Sequence, residues 1–322
     1  MRAIRVHEVG GPEQMKVDQI DVPSPGPKQA LVKIDTSGVN FIDIYFRTGL
    51  YKADAPFTLG MEAAGVVEAV GPDVTEVAVG DRVAYAMTRG SYAEYAVVPS
   101  ATLVKVPDGV DLEAAASVML QGMTAHYLSH STFPLEKQHT ALIHAAAGGT
   151  GALLVQMAKM RGARVIATAG NAEKAARAKA VGADEVILYG EQDFEAEARR
   201  LTNGAGVDVV YDSVGAATWE KSLGSLKPRG MMVSFGNASG AVPAIQPLIL
   251  STKGSLYLTR PTLASYCANR EELLWRAGDV LRWLASGSLQ TKVHQAYPFD
   301  QAAQAHIDLA GRVSAGKLLL KP

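Results

Sequence analysis

Between residues 140 and 235 short apolar runs alternate with stretches of helical composition, and no other feature restricts the fold as much. Thr140-Ala141-Leu142-Ile143-His144 has strand length and precedes a helix from Ala152 to Arg161. Ala163-Arg164-Val165-Ile166-Ala167-Thr168 is the next strand, followed by an alanine-rich helix over 172–181. Glu185-Val186-Ile187-Leu188-Tyr189 is a third strand, and Phe194 to Leu201 is a helix closed by Asn203-Gly204. Val207-Asp208-Val209-Val210-Tyr211 and Gly230-Met231-Met232-Val233-Ser234-Phe235 complete the series. Apolar strands separated by helices imply a parallel sheet covered on both faces. The sequence therefore predicts an α/β fold with a Rossmann doubly wound parallel sheet.

The first hundred residues have a different texture. Val22-Pro23-Ser24-Pro25-Gly26-Pro27 excludes helix, because proline removes a donor and clashes with the preceding turn. Ala30 to Asp35 alternates at period two, and Gly65 to Gly71, Gly80 to Ala84 and Tyr92 to Val98 are further strands bounded by glycine or Pro99. That spacing predicts a β-barrel-type domain. Helical composition begins at Asp111-Leu112-Glu113. Near residue 265 the pattern changes again. Asn269 with Glu272 forms a helix start, Leu273, Ala277, Val280, Leu281 and Leu284 share one face, and Gly287 is a stop. A strand over 293–297, a helix from Asp300 and the run Gly316 to Leu320 finish the chain, and this tail is expected to close the first domain. At 322 residues two domains are the default. The expected division is 1–122 with 265–322, and 123–264.

Ala146-Ala147-Gly148-Gly149-Thr150-Gly151 sits between the first apolar strand and its helix. It is a G-x-G-x-x-G pattern with alanine in first place. Gly148 lets the backbone approach a pyrophosphate, Gly151 permits close helix–strand packing, and the helix N-terminus offers free N–H groups. Within a run of βαβ units this predicts dinucleotide binding through Ala147, Gly148, Gly149, Thr150 and Gly151. An NAD enzyme usually places an acid at the end of the second strand. Here that position reads Ala169-Gly170-Asn171, with Glu173 and Lys174 already in the helix. Gly170 leaves room for a 2′-phosphate. Lys174 either neutralises that phosphate or is a solvated helix lysine. The residues favour NADPH over NADH.

Composition removes several classes. Net charge is −1 with no long block of like charge, so neither nucleic acid nor an anionic membrane is an expected partner. The single Cys267 cannot form an internal disulfide and excludes a metal site built from several thiolates. Met1 to Val6 alternates polar and apolar without a signal-peptide core, and the uncharged stretch between Lys137 and Lys159 is interrupted by His139, His144 and glycines. The expected location is cytoplasmic, where the sequon Asn237-Ala238-Ser239 has no bearing on glycosylation. His126 and His130 lie four apart without a third ligand and read as ordinary helix residues.

Gly60-Met61-Glu62-Ala63-Ala64-Gly65-Val66-Val67, then Val70-Gly71 and Gly80-Asp81-Arg82-Val83, resembles the medium-chain dehydrogenase/reductase signature. The segment from His144 through Gly151, with Gln156 and Lys159, resembles the NADPH:quinone oxidoreductase (zeta-crystallin-like) branch. So do Asn40-Phe41-Ile42-Asp43, Asp212-Ser213-Val214-Gly215 and Val233-Ser234-Phe235-Gly236-Asn237. The resemblance covers essentially the whole chain. It implies that the first domain is GroES-like and catalytic, and that the second binds NADPH. The alcohol dehydrogenases of the superfamily carry a zinc-binding Cys where this chain has Asn40 and a zinc-binding His where it has Met61. Without those ligands no zinc site is expected. Hydride transfer without that Lewis acid suits acceptors that are already electrophilic, such as quinones and activated alkenes.

By the same resemblance, Asn40, Tyr45 and Tyr51 are catalytic candidates at the nicotinamide end, with Thr124 nearby. Gly170, Lys174, Tyr189 and Arg312 would surround the 2′-phosphate, and Phe235 and Asn237 would line the cleft near the nicotinamide and its ribose. Tyr45 and Tyr51 are alternatively half-buried core rings, Phe235 strand-end packing and Arg312 a surface charge. Glu62 either serves the site or merely holds the fold. The leading expectation is NADPH-dependent quinone reduction in the cleft between the domains. The alternatives are an alkenal or enone reductase, for which Tyr51 is the proton-donor candidate, and a structural or RNA-binding zeta-crystallin-like protein. A homodimer paired through the strand around Ser255-Leu256-Tyr257-Leu258 is expected, since an exposed apolar edge invites pairing.

Overall fold

The computed structural model describes every residue from Met1 to Pro322, and the chain divides into two compact units. The first comprises Met1–Met123 and Tyr266–Pro322, the second Thr124–Ser265.

The first unit opens with strands β1 (Arg2–Val6), β2 (Met15–Gln19), β3 (Gln29–Val39) and β4 (Phe57–Thr58), with helix α1 (Phe41–Arg47) following β3. Strands β5 (Glu62–Val70), β6 (Arg82–Ala86), β7 (Tyr95–Pro99) and β8 (Val104–Lys105) follow, then α2 (Leu112–Tyr127). The strand expected from Tyr92 begins at Tyr95, because Ala93 makes only an isolated bridge with Ala3. Asp111 starts α2 by accepting from the Ala114 N–H at 2.6 Å. The division between the units falls within α2, which continues as a π-helix over Leu128–Thr132.

The second unit holds β9 (Thr140–Ile143), α3 (Gly149–Met160), β10 (Arg164–Ala169), α4 (Ala172–Ala180), β11 (Glu185–Leu188) and α5 (Phe194–Leu201). It continues through β12 (Val207–Asp212), α6 (Trp219–Ser225), β13 (Leu226–Ser234), α7 (Leu248–Thr252) and β14 (Tyr257–Thr259). The sheet order β11-β10-β9-β12-β13-β14, all parallel, reverses direction between β10 and β12, as a Rossmann sheet does. Its central strands β9, β10 and β12 are covered on both faces and rich in apolar residues: all six residues of β12 are buried. Leu142, Ile166, Val210, Met232, Trp219 and Leu223 form the core, each such buried aliphatic side chain contributing about 1.5–3 kcal/mol. The helix after the glycine turn begins at Gly149 rather than Ala152, so the turn itself supplies the first helical residues.

The tail contributes α8 (Leu263–Tyr266), α9 (Arg270–Ala285), β15 (Val293–Pro298), α10 (Ala302–Ala310) and β16 (Lys317–Lys321). Asn269 caps α9 by accepting from the Glu272 N–H at 2.9 Å, and Gly287 takes φ +72° beyond its end. Strand β16 pairs antiparallel with β3 and parallel with β15, extending a sheet of order β15-β16-β3-β5-β6-β8. The opening segment and the closing one thus share a core of Ile4, Val6, Phe57, Tyr297, Phe299 and Leu318. This pairing places Lys317 beside the C-terminal end of β3 and the start of α1.

Candidate functional site

In the second unit the turn from Ala145 to Gly148 carries the chain from β9 into α3. Ala145 adopts φ +50°, and its carbonyl accepts from the Gly148 N–H at 2.9 Å. A Cβ at Gly151 would stand 2.3 Å from the Ala145 carbonyl oxygen and 2.9 Å from the Ala146 Cα, so only glycine lets the helix pack this closely on the turn. Gly148 begins α3 without any side-chain cap, so the N–H groups of the first turn are left for an outside acceptor. Ala147 is buried behind the turn, while Gly148, Gly149 and Thr150 are partly exposed.

The adjoining loops are fixed from below. His144 is buried between the Thr168 hydroxyl at 3.0 Å and the Ser222 hydroxyl at 2.9 Å. Ser222 and Thr218 both donate to Asp212 Oδ2, at 2.8 and 2.7 Å. Asp212 Oδ1 accepts the N–H groups of Val214 and Gly215, which pins the loop after β12. Burial depresses the basicity of His144, with the Asp212 carboxylate acting in the opposite sense.

Gly170 follows β10, and the Tyr189 hydroxyl stands 2.8 Å from where its Cβ would be. Asn171 caps α4 by accepting from the Lys174 N–H at 2.9 Å, which sets Lys174 in the first turn of the helix. Gly170, Lys174 and Tyr189 therefore gather around the β10–α4 turn. Arg177, three residues after Lys174, is half-buried and its Nη1 has no partner. Phe235 and Asn237 sit in the loop after β13, partly exposed, with the Asn237 amide donating to the Gly236 carbonyl at 2.9 Å and accepting from Arg260 at 3.2 Å. Thr124 opens the second unit and is nearly buried, whereas Arg312 belongs to the first unit, in the turn between α10 and β16. A turn closed to a Cβ at Gly151, an uncapped helix start, and Lys174 and Arg177 in the helix after Gly170 fit a phosphorylated dinucleotide.

The first unit holds Asn40, Tyr45 and Tyr51. Asn40 precedes α1, and its N–H donates to Asp43 Oδ2 at 2.8 Å, the carboxylate reaching back to the helix start. The Asn40 carboxamide turns inward instead of capping. Its Nδ2 donates to the Gly38 carbonyl at 3.2 Å and to Glu62 Oε2 at 2.8 Å. Its Oδ1 accepts from Lys317 Nζ at 2.8 Å and from Gln121 Nε2 at 3.3 Å. All four hydrogen-bonding valences are taken and the residue is 3% exposed. The amide is thus held rigidly but has nothing left to offer a ligand. Glu62 Oε1 accepts the Leu120 N–H at 2.6 Å, so this carboxylate ties β5, α2 and β16 together. A Cβ on Gly38 would lie 2.1 Å from Glu62 Oε2.

A second buried chain lies alongside. Tyr92 donates to Asp43 Oδ2 at 2.9 Å and stands 3.3 Å from His306 Nε2, while Arg47 Nη1 lies 3.1 Å from His306 Nδ1. Burial raises the Asp43 carboxyl to about 7, against the pull of the Asn40 N–H and Tyr92. Burial, reinforced by the Arg47 charge, lowers His306 to about 3.

Tyr45 and Tyr51 meet edge to face at 5.3 Å between centroids, and Tyr51 meets Phe46 at 5.7 Å. Tyr51 is 37% exposed and its hydroxyl has no hydrogen-bond partner. Sequence reasoning named these rings and Asn40 as candidates and gave no role to Lys317, Asp43, Asp212 or His306. Lys317 and His306 carry no local signal, because their partners lie more than 200 positions away in the chain. His126 and His130 stack at 4.3 Å, and nowhere do three or more His, Cys, Asp or Glu residues gather as a metal-binding group. No helix is long and apolar enough to cross a membrane.

Residues 26–108 match the alcohol dehydrogenase GroES-like domain, and residues 149–273 match the family described as zinc-binding dehydrogenase. The chain is 45% identical to a quinone oxidoreductase of Pseudomonas aeruginosa, over 100% of this chain and 99% of the relative. It is 41% identical to a 2-haloacrylate reductase of a Burkholderia species, over 98% of each. The crystal structure of the Escherichia coli quinone oxidoreductase complexed with NADPH matches with a TM-score of 0.98 at 41% identity, over 100% of both chains.

Proposed function

The chain belongs to the quinone oxidoreductase family of the medium-chain dehydrogenase/reductases, and from that premise we propose that it reduces quinones with NADPH and without zinc. The cofactor half of this reading rests on the Gly148–Gly151 turn, where Gly151 packs too closely on the turn backbone to carry a Cβ and the helix start is uncapped. Ala147, Gly148, Gly149, Thr150 and Gly151 would hold the pyrophosphate. Gly170, Lys174, Tyr189 and Arg312 would hold the 2′-phosphate, and Thr124, Phe235 and Asn237 the nicotinamide end. Bound NADPH supplies a hydride.

The protein's own residues have a modest task. A quinone accepts hydride readily and its oxygens take protons from water, so positioning and a few hydrogen bonds suffice. Tyr45 and Tyr51 would touch the acceptor, Tyr51 through its exposed hydroxyl. Asn40, with its amide saturated, acts as a positioning residue that braces the start of α1, the helix that carries Tyr45. In place of the two zinc ligands of the alcohol dehydrogenases the chain has Asn40 and Met61.

A second reading, reduction of an activated C=C bond, is favoured by the unpartnered and exposed Tyr51 hydroxyl, a group able to give a proton to carbon. The 2-haloacrylate reductase relative is consistent with it. We also propose a homodimer through β14, an edge strand on which Tyr257 is 60% exposed. Sedimentation showing only monomer would remove that idea.

The test is the initial rate of 1,2-naphthoquinone reduction with NADPH and with NADH, in the presence of a chelator. Fast, chelator-resistant turnover with NADPH preferred is the expected result. A preference for NADH, or loss of activity to the chelator, would overturn the reading.

A further inference from the structure

Arg89 lies in the turn after β6, and its guanidinium carbon stands 5.4 Å from the Phe46 ring centroid and 5.2 Å from that of Phe57. The residue is exposed and makes no hydrogen bond or ion pair. Other arginines behave otherwise. Arg2, Arg5, Arg47, Arg82, Arg270 and Arg276 of the same unit each donate to a carboxylate or a carbonyl oxygen. Stacking on aromatic rings engages the faces of a guanidinium, whereas its five N–H donors lie in the plane. Arg89 is therefore seated against Phe46 and Phe57 with its N–H donors uncommitted, available to a carboxylate or sulfonate.

The position of those donors gives them meaning. Phe46 packs at 83° against Tyr51, which in turn packs against Tyr45, so Arg89 belongs to the same aromatic cluster as the two hydroxyl rings that the proposed function assigns to the acceptor. Two other charged side chains, Arg5 and Asp54, line the surface groove that Arg89 shares. Arg5 is committed to the Pro56 carbonyl at 3.0 Å and faces Asp18 at 3.8 Å. Asp54 is exposed and forms no ion pair with Arg89.

We propose that Arg89 is a specificity residue that selects acceptors bearing a negative charge, a carboxylate or sulfonate carried on the quinone or on the activated alkene. This rests on the function proposed above, and extends it from the reacting group to the rest of the substrate. A charge-assisted fork at a solvent-facing site corresponds to roughly tenfold discrimination.

The test uses a matched pair: a dimethoxy-methyl-benzoquinone with a carboxyalkyl tail, and its methyl ester. Both have the same ring and differ only in charge. The intact enzyme and its Arg89→Met and Arg89→Lys variants are compared with saturating NADPH, at low and high salt. The expected result is a roughly tenfold fall in the acid-to-ester ratio of kcat/KM in Arg89→Met. That fall is carried by the KM of the acid, partly restored in Arg89→Lys, and eroded by salt in the wild type. An acid-to-ester ratio that does not move in Arg89→Met overturns the proposal. If neither quinone is reduced, the function proposed above fails. Equilibrium dialysis of the acid against each protein then decides the role of Arg89, and equal binding by wild type and Arg89→Met sinks it.

Discussion

Lys317 Nζ lies 2.5 Å from Glu62 Oε2, and both side chains are shut away from solvent at 1% and 0% exposure. The pair joins residues 255 positions apart, one from the closing strand and one from β5. Burying an ion pair is costly, and its attraction offsets that cost only when the remaining valences are filled. Here they are filled by Asn40 and by the Leu120 N–H.

Removing one member should therefore be worse than removing both. Lys317→Met leaves a buried carboxylate without its cation and is expected to lower unfolding stability by about 3–5 kcal/mol. Glu62→Gln with Lys317→Met should recover a large part of that loss. Urea denaturation of the two single variants and the double variant gives the coupling directly. Additive effects would mean that the pair does not act as a unit.

Glycine substitutions separate close packing from mere flexibility. At Gly151 an added Cβ would meet backbone atoms at 2.3 and 2.9 Å, which no side-chain rotation relieves. Gly151→Ala should move the start of α3 and weaken NADPH binding by tenfold or more, about 1.4 kcal/mol, as followed by nicotinamide fluorescence. Gly278, inside α9, has nothing within 4 Å of its Cβ position. Gly278→Ala should instead raise stability by about 0.5–1 kcal/mol, through helix propensity alone. Unchanged NADPH affinity in Gly151→Ala would show that the turn does not hold the phosphates.

The Rossmann sheet was legible because its central strands β9, β10 and β12 are buried on both faces and so appear as short, mainly apolar runs. The start of α9 was legible for a local reason: Asn269 and Glu272 are three apart and bond to each other. The glycine turn was found, yet the helix start was placed at Ala152 instead of Gly149, since glycine is a poor helix former and its use in a first turn follows from packing. The buried polar chains were hidden for the opposite reason. A lysine before an apolar run reads as a solvated tail charge, and only the pairing of β16 with β3 brings Lys317 to Asn40. Arg89 likewise sits in an exposed turn, and nothing local in the chain announces Phe46 and Phe57 against its guanidinium.

The Asp43–Tyr92–His306 chain makes a prediction about pH in which two effects oppose. Asp43 moves from 3.8 to about 7 in the folded state, so its stabilising contribution is complete below pH 3.8 and is lost as pH rises toward 7. His306 moves from 6.5 to about 3, so its contribution is complete above pH 6.5 and is lost as pH falls toward 3. Between about pH 4 and 6.5 the two slopes cancel. Asp43→Asn removes the first and leaves the second. Its melting temperature should climb from pH 4 to 6.5 relative to wild type, whose own profile stays flatter. Parallel profiles for the two proteins would show that Asp43 does not titrate in this range.

The Tyr51 hydroxyl bears on which acceptor the site serves, because the two chemistries need protons at different atoms. Hydride addition to a quinone leaves charge on oxygen, and oxygen is protonated by water without help. Hydride addition to an enone leaves charge that must finally be quenched at carbon, and proton transfer to carbon is slow unless an acid is held over it. Tyr51→Phe keeps the ring contacts with Tyr45 and Phe46 while deleting only the unpartnered hydroxyl. For quinones kcat/KM should fall by less than about threefold, whereas for enones kcat should fall by a factor on the order of 10²–10⁴, the usual worth of a general acid. Steady-state rates with 1,2-naphthoquinone and a 2-alkenal, taken on the same preparations, provide the comparison. A large loss on the quinone as well would mean that Tyr51 orients the acceptor, with its hydroxyl bonded to the quinone oxygen in the ternary complex.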